Sequence, residues 1–478
     1  MHIIDKIYVD GAFVTPRGDE WFDLFNPSTE QVIGRVRLGD AEDARLAVAA
    51  AKRAFATFSR TSKSERVDML RLMHAAVVGR EDELLEALVD EYGAPISRAR
   101  WMARHASNVL HEAANTLENY SFVRRAGAAR VVMQPVGVAG LITPWNSNAG
   151  FICGKLAAAV AAGCTAVIKP SEMSAIQTRI VTQALHEAGL PPGVFNIVTG
   201  RGETVGAEIT GHPDVAKLSF TGSTAVGKSI LRTASETLKR VTLELGGKSP
   251  TIILDDADLD AATLLALQAG FMNSGQACIA GTRILVPKTR LAEFERSLAT
   301  AASEFRSGDP RDPSTNIGPM VSRKQWERVQ RYIRIGLQEG ARLIAGGEDR
   351  PQGLDAGWFV RPTVFTDVRN DMTIAREEIF GPVLSIIAYN DVNEAIAIAN
   401  DTPYGLQAYV LSSDTERASF VASQIDAGRV LVNTLAHEPA APFGGFKQSG
   451  IGREYGTFGL EAFLEPKAVL GEVSVHPT

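Results

Sequence analysis

From Val136 onward the chain repeats one pattern, an apolar run of strand length followed by a segment of helical length. The runs sit at 136–142, 164–168, 194–198, 215–220 and 241–245, and the helical segments near 150–162, 174–188, 202–211 and 223–236. Strands separated by helical crossovers pair in parallel, with helices on both faces of the sheet, so the pattern predicts an α/β fold. Such a sheet binds ligands beyond the carboxyl ends of its strands. The residues that matter are therefore those just after each run: Thr143-Pro144-Trp145-Asn146, Lys169-Pro170-Ser171-Glu172, Thr199-Gly200-Arg201-Gly202, Thr221-Gly222-Ser223 and Glu244-Leu245-Gly246-Gly247.

A second α/β stretch begins after Gly247, with a strand at 250–254, a helix from Asp258 to Asn273, and strands at 283–286, 383–389, 407–411 and 429–432. Upstream, 40–58 is Ala-rich and helical, and Ser62-x-x-Glu65 has capping-box form ahead of a second helix. Residues 120–136 read as extended up to Pro135, and Phe463 to Val475 holds a last short extended run. A chain of 478 residues has room for about three domains.

Composition narrows the function classes. Lys and Arg number 49 against 55 Asp and Glu, a net charge of −6, which provides no footprint for nucleic acid or an anionic membrane. The apolar stretch Leu156–Ile168 is flanked by Lys155 and Lys169 and is too short to span a bilayer. The three cysteines show no CxxC spacing and the eight histidines no paired metal-ligand spacing, so neither a disulfide framework nor a metal site is expected. With no apolar signal segment after Met1, the expectation is a reduced, cytoplasmic protein.

Several motifs can carry chemistry, each with a plainer alternative. No GxGxxG or P-loop occurs, and Gly200-x-Gly202-x-x-x-Gly206 is one residue too long for the dinucleotide fingerprint. Phe220-Thr221-Gly222-Ser223 leads from a strand into a helix, either a simple turn or an N-terminus whose N–H groups face a pyrophosphate. Lys169 and Glu172 stand where ribose hydroxyls bind, or in a solvated loop. Cys153 and Cys164 read as small core residues, whereas Cys278 lies in a Gly-containing loop past a helix. On the strand Val241–Leu245, Glu244 shares a face with Thr242, and is either a salt-bridged acid or a base with a raised pKa. The Asn146 amide can donate to a developing oxyanion.

Taken together these residues resemble the aldehyde dehydrogenase superfamily. The resemblance rests on Pro144-Trp145-Asn146, Lys169-Pro170-Ser171-Glu172, Phe220-Thr221-Gly222-Ser223, Glu244-Leu245-Gly246-Gly247-Lys248, Gly275-Gln276-Ala277-Cys278, Glu377-Glu378-Ile379-Phe380-Gly381-Pro382 and Pro442-Phe443-Gly444-Gly445, in family order over nearly the whole chain. It implies a Rossmann-type NAD-binding domain at 1–117 and 137–246, a catalytic domain at 247–446, and a small β oligomerisation element joining 118–136 to 463–478, in a dimer or tetramer. Cys278 is then the nucleophile, Asn146 and the Cys278 N–H the oxyanion donors, Glu244 the base that hydrolyses the thioester, and Glu454 part of a proton relay. Lys169 and Glu172 fall to the adenosine ribose; Glu378 and Phe380 fall to the nicotinamide side. Thr143, Trp145, Ser171, Gly202, Gly206, Phe220, Gly222, Ser223, Val226 and Leu245 complete the cofactor set, with Lys169 also near the chemistry. Glu172 favours NAD, with NADP possible.

The chain departs from the family where the substrate enters. Ser147 stands where Phe is common, and Gly150 and Gly154 follow on the next helix, so a wider tunnel and a bulky or aromatic aldehyde are expected. His437 and Phe443 border the tunnel mouth by the same resemblance, although a lone His is often structural. No Arg follows Cys278 before Arg283, so no carboxylate-binding Arg is evident there, and one from elsewhere stays open. Alternatives are a CoA-acylating relative and a non-catalytic protein that keeps the fold.

Overall fold

The computed structural model describes residues 1–471. Each predicted strand of the 136–245 stretch is present, and together they form the parallel centre of an eight-stranded sheet. Its order is Gly450–Ile451, Arg240–Glu244, Val215–Thr221, Val138–Ile142, Thr165–Lys169, Phe195–Ile197, Ile7–Val9 and Ala12–Val14. The parallel part of this sheet starts at Val138–Ile142 and builds outward on both sides. The order therefore switches beside that strand, and a crevice opens at the ends of Val138–Ile142 and Val215–Thr221. The two edges are antiparallel, supplied by the N-terminal hairpin and by Gly450–Ile451. Neither edge was anticipated, because strands of two or three residues carry too little periodicity to read.

The second sheet has seven strands in the order Arg342–Ala345, Thr363–Thr366, Val383–Tyr389, Arg283–Pro287, Pro250–Ile253, Gln407–Leu411 and Arg429–Val432, parallel except at Arg342–Ala345. Its central strands are buried on both faces, which explains their continuous apolar sequences. The helix expected from Asp258 to Asn273 runs Leu259–Phe271, capped by the Asp258 side chain on the Ala261 N–H at 2.9 Å. A three-stranded antiparallel sheet joins Val123–Ala126 and Ala129–Pro135 to Leu464–Val469. Positions 472–478 of the expected oligomerisation element lie outside the described residues. A 23-residue helix, Ile96–Glu118, packs along Asn148–Ala162. No described helix is long and apolar enough to cross a membrane.

The two large sheets are joined across Leu245–Ser249, and one buried hydroxyl ties that crossing down. Ser449 is wholly buried; its Oγ accepts the Gly405 N–H at 2.9 Å and donates to the Gly246 carbonyl at 2.6 Å, while its own carbonyl accepts Leu245 N–H at 2.9 Å. Removing the hydroxyl leaves a buried N–H and a buried C=O without partners. Ser449→Ala is expected to cost about 2 kcal/mol, read as a lowered thermal midpoint of the purified protein.

Candidate active site

Glu244 ends its strand opposite Thr221 on one side and Gly450 on the other. It is 2% exposed, and neither carboxylate oxygen has a hydrogen-bond partner among the described residues, so the salt-bridged alternative is not what the fold builds. Burial pushes its pKa well above the ordinary carboxylate range, the Glu454 carboxylate adds to this, and Lys155 and Arg453 oppose it. The carboxylate fits only because its neighbour is glycine: a Cβ on Gly444 would lie 2.6 Å from Oε1.

Cys278 is brought to the same place by an unusual turn. After Phe271 the chain runs through Asn273, Ser274 and Gly275 with φ of 54°, 58° and 73°, a left-handed stretch that ordinary residues avoid. Side chains hold it there. Ser274 Oγ accepts the Gly318 N–H at 2.9 Å, and Gln276 donates to Pro319 O at 3.3 Å while accepting from Val321 N–H at 3.0 Å. Asn146 Nδ2 donates to Gln276 O at 3.0 Å, and Asn273 Nδ2 reaches both Asn146 O and Gln276 O at 3.3 and 3.1 Å. These bonds moor the Asn146 amide beside the Cys278 loop and leave its second N–H free. Gly247 closes the arrangement from the first sheet, since a Cβ there would sit 2.3 Å from the Cys278 carbonyl oxygen. Burial, then the Glu378 and Glu244 carboxylates, push the Cys278 thiol up to about 12, while the Cys278 and Ile279 N–H groups pull it down. The thiol therefore keeps its proton in the resting site. Cys153 and Cys164 are fully buried core residues, as the sequence suggested.

The expected cofactor residues line the crevice of the first sheet. Lys169 Nζ pairs with Glu172 at 3.2 Å, and Glu172 also meets Arg201 at 3.4 Å. Ser171 Oγ accepts the Met173 N–H at 3.3 Å. The Thr143 hydroxyl is used within the fold, donating to Asn148 Oδ1 at 2.9 Å. Around Gly202 and Gly206 nothing lies within 4 Å of an added Cβ, so that turn has open faces. The Phe220 ring packs onto Gly222, and Leu245 onto Gly227. Ser223 caps the 12-residue helix Thr224–Ser235 through Val226 N–H at 3.4 Å, and Val226 stands 48% exposed at its first turn. Across the crevice Glu378 Oε1 accepts the Gly247 N–H at 3.0 Å. Phe380, held at a φ of 62°, meets the Trp145 ring edge to face at 5.4 Å.

Glu454 is bridged backbone to backbone with Phe443, and its carboxylate binds Lys155 Nζ and, at 3.1 Å, Ser219 Oγ. Lys155 was missed as a partner, although it is the lone cation of an otherwise apolar helix. On the substrate side, Gly150 faces His105 and Ser147, whose atoms would lie 3.2 Å from an added Cβ; at Gly154 nothing comes closer than Val109 at 3.9 Å. An apolar cavity of about 60 Å³ opens there, lined by Val109, Ala113, Gly150, Phe151, Gly154 and Tyr455, with Lys155 and Glu454 at its polar end. His437 meets Tyr455 at 5.3 Å and His105 at 5.6 Å, and Phe443 meets Tyr455 at 5.7 Å. His105 and Tyr455 escaped the sequence reading, because His105 stands on a packing helix and Tyr455 just ahead of a short one, each outside the motifs. Arg283 is not a substrate residue: it is wholly buried, donating to Lys248, Ile398 and Ala399 carbonyls and to Asn370 Oδ1.

A thiol, an unpartnered carboxylate and an amide N–H at the edge of a doubly wound sheet form the candidate active site of an α/β enzyme. The sequence model of the aldehyde dehydrogenase family matches residues 13–469. A 3-succinoylsemialdehyde-pyridine dehydrogenase from a Pseudomonas species is 48% identical over 468 residues, 98% of each chain. Among solved structures, an aldehyde dehydrogenase C mutant from Pseudomonas syringae, in complex with NAD+ and octanal, superposes with a TM-score of 0.97 at 46% identity, covering 99% of this chain and 98% of that one. A Mycobacterium tuberculosis aldehyde dehydrogenase complexed with NAD+ gives 0.95 at 39% identity, covering 99% of each. The chain belongs to the aldehyde dehydrogenase family.

The Gly247 contact is a sensitive point. Gly247→Ala is expected to push the Cys278 loop outward and lower kcat about a hundredfold, the effect of a displacement near 1 Å, while circular dichroism stays unchanged.

Proposed function

We propose that this chain oxidises an aldehyde to the carboxylic acid, with Cys278 as nucleophile and NAD as cofactor. The observation that carries the reading is the convergence of the Cys278 loop, the moored Asn146 amide and the unpartnered Glu244 carboxylate on one glycine-lined seam. The residues around the crevice fit a dinucleotide. The open faces of Gly202 and Gly206, the exposed Val226 at a capped helix start and the Lys169–Glu172 pair all supply surface for one. Glu172 disfavours a 2′-phosphate, and its Arg201 neighbour is held by Glu20 at 2.6 Å, which supports NAD over NADP. When bound, NAD supplies the hydride acceptor; the other roles belong to the chain.

The Cys278 thiol adds to the aldehyde carbon as its proton leaves, and Glu244, equally reluctant to stay charged, is the base in reach. Negative charge then grows on the former carbonyl oxygen, where the free Asn146 N–H and the Cys278 backbone N–H donate. Once the acyl group is a thioester on Cys278, Glu244 takes a proton from the attacking water, and Lys155, Ser219 and Glu454 provide a polar route away from it. An unpaired Glu244 favours water over CoA as acceptor, and the retained Cys278, Glu244 and Asn146 argue against a non-catalytic role. The space at Gly154 and the aromatic rim at His437 and Phe443 support a bulky or aromatic aldehyde, and the 48%-identical relative bears the name of a pyridine semialdehyde.

The domain reading follows the same lines: 1–117 with 137–246 for the cofactor, 247–446 for catalysis, and the sheet of Val123–Ala126, Ala129–Pro135 and Leu464–Val469 for self-association as a dimer or tetramer. A reduced cytoplasmic setting suits its three free cysteines.

Purified protein with NAD and aldehydes is expected to produce absorbance at the NADH band, and Cys278→Ala to abolish it. In Glu244→Gln both acylation and hydrolysis should slow, and the steady rate should fall about a hundredfold or more. A first-turnover burst that persists at full rate would confine Glu244 to hydrolysis. The reactive forms of Cys278 and Glu244 are deprotonated and both pKa values are raised. Activity should therefore fall as pH drops through those raised values, so kcat/KM should still climb with pH above neutrality rather than level off in the ordinary carboxylate range.

A further inference from the structure

Two guanidinium groups stand at the substrate rim without a carboxylate. Arg429 begins the strand Arg429–Val432, stacks over the Phe443 ring at 5.6 Å and touches His437 Nδ1 at 3.5 Å, the only hydrogen bond of its side chain among the described residues. Arg98 lies over the Trp101 ring at 4.1 Å; its Nε is buried and unpartnered, and no described residue forms an ion pair or hydrogen bond with it. Between the two cations runs a continuous stack: Trp101 lies flat on His105 at 4.8 Å, and His105 meets His437 edge-on at 5.6 Å. His105 also faces Gly150 and Ser147, directly after the Asn146 that is moored to the Cys278 loop. Arg429 is charge-coupled to the Tyr409 hydroxyl, which donates to Ile279 O at 2.9 Å, next to Cys278. The stack is thus tied to the reacting centre from both sides.

The electrostatics of this rim are one-sided. Both imidazoles are held neutral, His105 pushed down to about 4 by burial and by His437 and Arg98, His437 lowered by burial and Arg429. The nearest acid, Glu438, is exposed and accepts the Ala440 N–H of its own loop at 2.9 Å. Half-buried guanidinium groups ordinarily recruit a carboxylate, because an unpaired cation out of water is costly. Here no described residue supplies the partner, and the cations flank the path to Cys278.

We infer that Arg429, with Arg98, reads the far end of the substrate: the aldehyde carries a hydrogen-bond acceptor, best a carboxylate, on an aromatic or similarly flat body opposite its reacting carbonyl. The flat body lies along Trp101, His105 and His437, the planar fork of Arg429 meets the acceptor, and Arg98 adds positive field from the other end of the row. This rests on the aldehyde-oxidising reading above, whose Arg283 neighbour is occupied within the fold.

The test measures kcat/KM with NAD for benzaldehyde, 4-acetylbenzaldehyde and 4-carboxybenzaldehyde, in the wild type and in Arg429→Met, Arg429→Lys and Arg98→Met. The wild type should prefer the acceptor-bearing aldehydes. In Arg429→Met the ratio of 4-carboxybenzaldehyde to benzaldehyde should fall about tenfold to a hundredfold, the worth of one hydrogen bond to a charged group. Arg429→Lys, which keeps the charge, should restore most of the carboxylate preference but not that for the acetyl group. Arg98→Met should lower the same ratio from a different element, so a misfolded Arg429 variant does not leave the matter open. Ratios that are equal in the wild type and both Met variants, or a wild type that rejects the carboxylate, overturn the inference. A wild type that yields NADH from benzaldehyde with unresponsive ratios overturns only the role of the arginines. One that yields NADH from none of the three overturns this substrate assignment, and with no NADH from any aldehyde panel the proposed reaction falls with it.

Discussion

The site depends on how closely two backbones approach where the sheets meet. Leu245–Ser249 leaves the first sheet and runs directly beneath the Cys278 loop, so near that Gly247 has no room for a side chain against the Cys278 carbonyl. The same seam needs Gly246 against the Glu378 carboxylate, Gly444 against Glu244 and Gly275 against the Gly381 backbone, where an added Cβ would lie 2.7, 2.6 and 2.2 Å away. Glycine at these positions spends no space, so backbone N–H groups and functional side chains share a volume that any larger residue would fill. Ser449, with its three bonds to the segments on either side, fixes the spacing of that seam.

That compactness sets the electrostatics. Glu244, Glu378 and Cys278 act on one another's charge, and each is pushed toward its protonated form, chiefly by burial. Nearby cations are held apart from the reacting groups: Lys155 is engaged by Glu454, Arg283 by carbonyls, and Lys248 has an unpartnered Nζ with a pKa lowered to about 7 by burial. A salt bridge on Glu244 would stabilise the fold and fix it as a carboxylate of ordinary strength. The fold instead tolerates a buried acid with no partner, a cost accepted where a base of raised pKa is required.

The parallel strands and helices between 136 and 245 were legible because each buries a continuous apolar run between turn residues, a signal that survives without tertiary information. The strand-end motifs were legible for the same reason, since topology alone sends them to one edge. What stayed hidden is set by tertiary contact. Ile7–Val9 and Gly450–Ile451 are strands only because a neighbouring edge accepts them. Lys155 gains its meaning from Glu454, almost three hundred residues away. Arg98, Trp101 and His105 stand at helical spacing on one helix, but the contacts of that row with His437, and of Arg429 with Phe443, join separate segments of the chain.

The division of labour between seam and rim follows from this contrast. The groups proposed to break and make bonds are placed by backbone: a strand end, a left-handed turn and glycines that permit close approach. The groups proposed to meet the rest of the substrate are placed by side-chain stacking, Trp101 on His105 within one helix, and His105 on His437 and Arg429 on Phe443 between segments. A backbone-built seam cannot change without loss of chemistry, because a shift of one ångström in the Cys278 loop alters every donor distance at once. A stacked rim can exchange one ring or cation for another and keep the same strand and helix framework. Glycines at 150 and 154 belong to the second kind, as they leave volume beside the rim without touching the mooring of Asn146. Substrate identity is therefore written in the residues hardest to find by motif, and reaction class in those easiest to find.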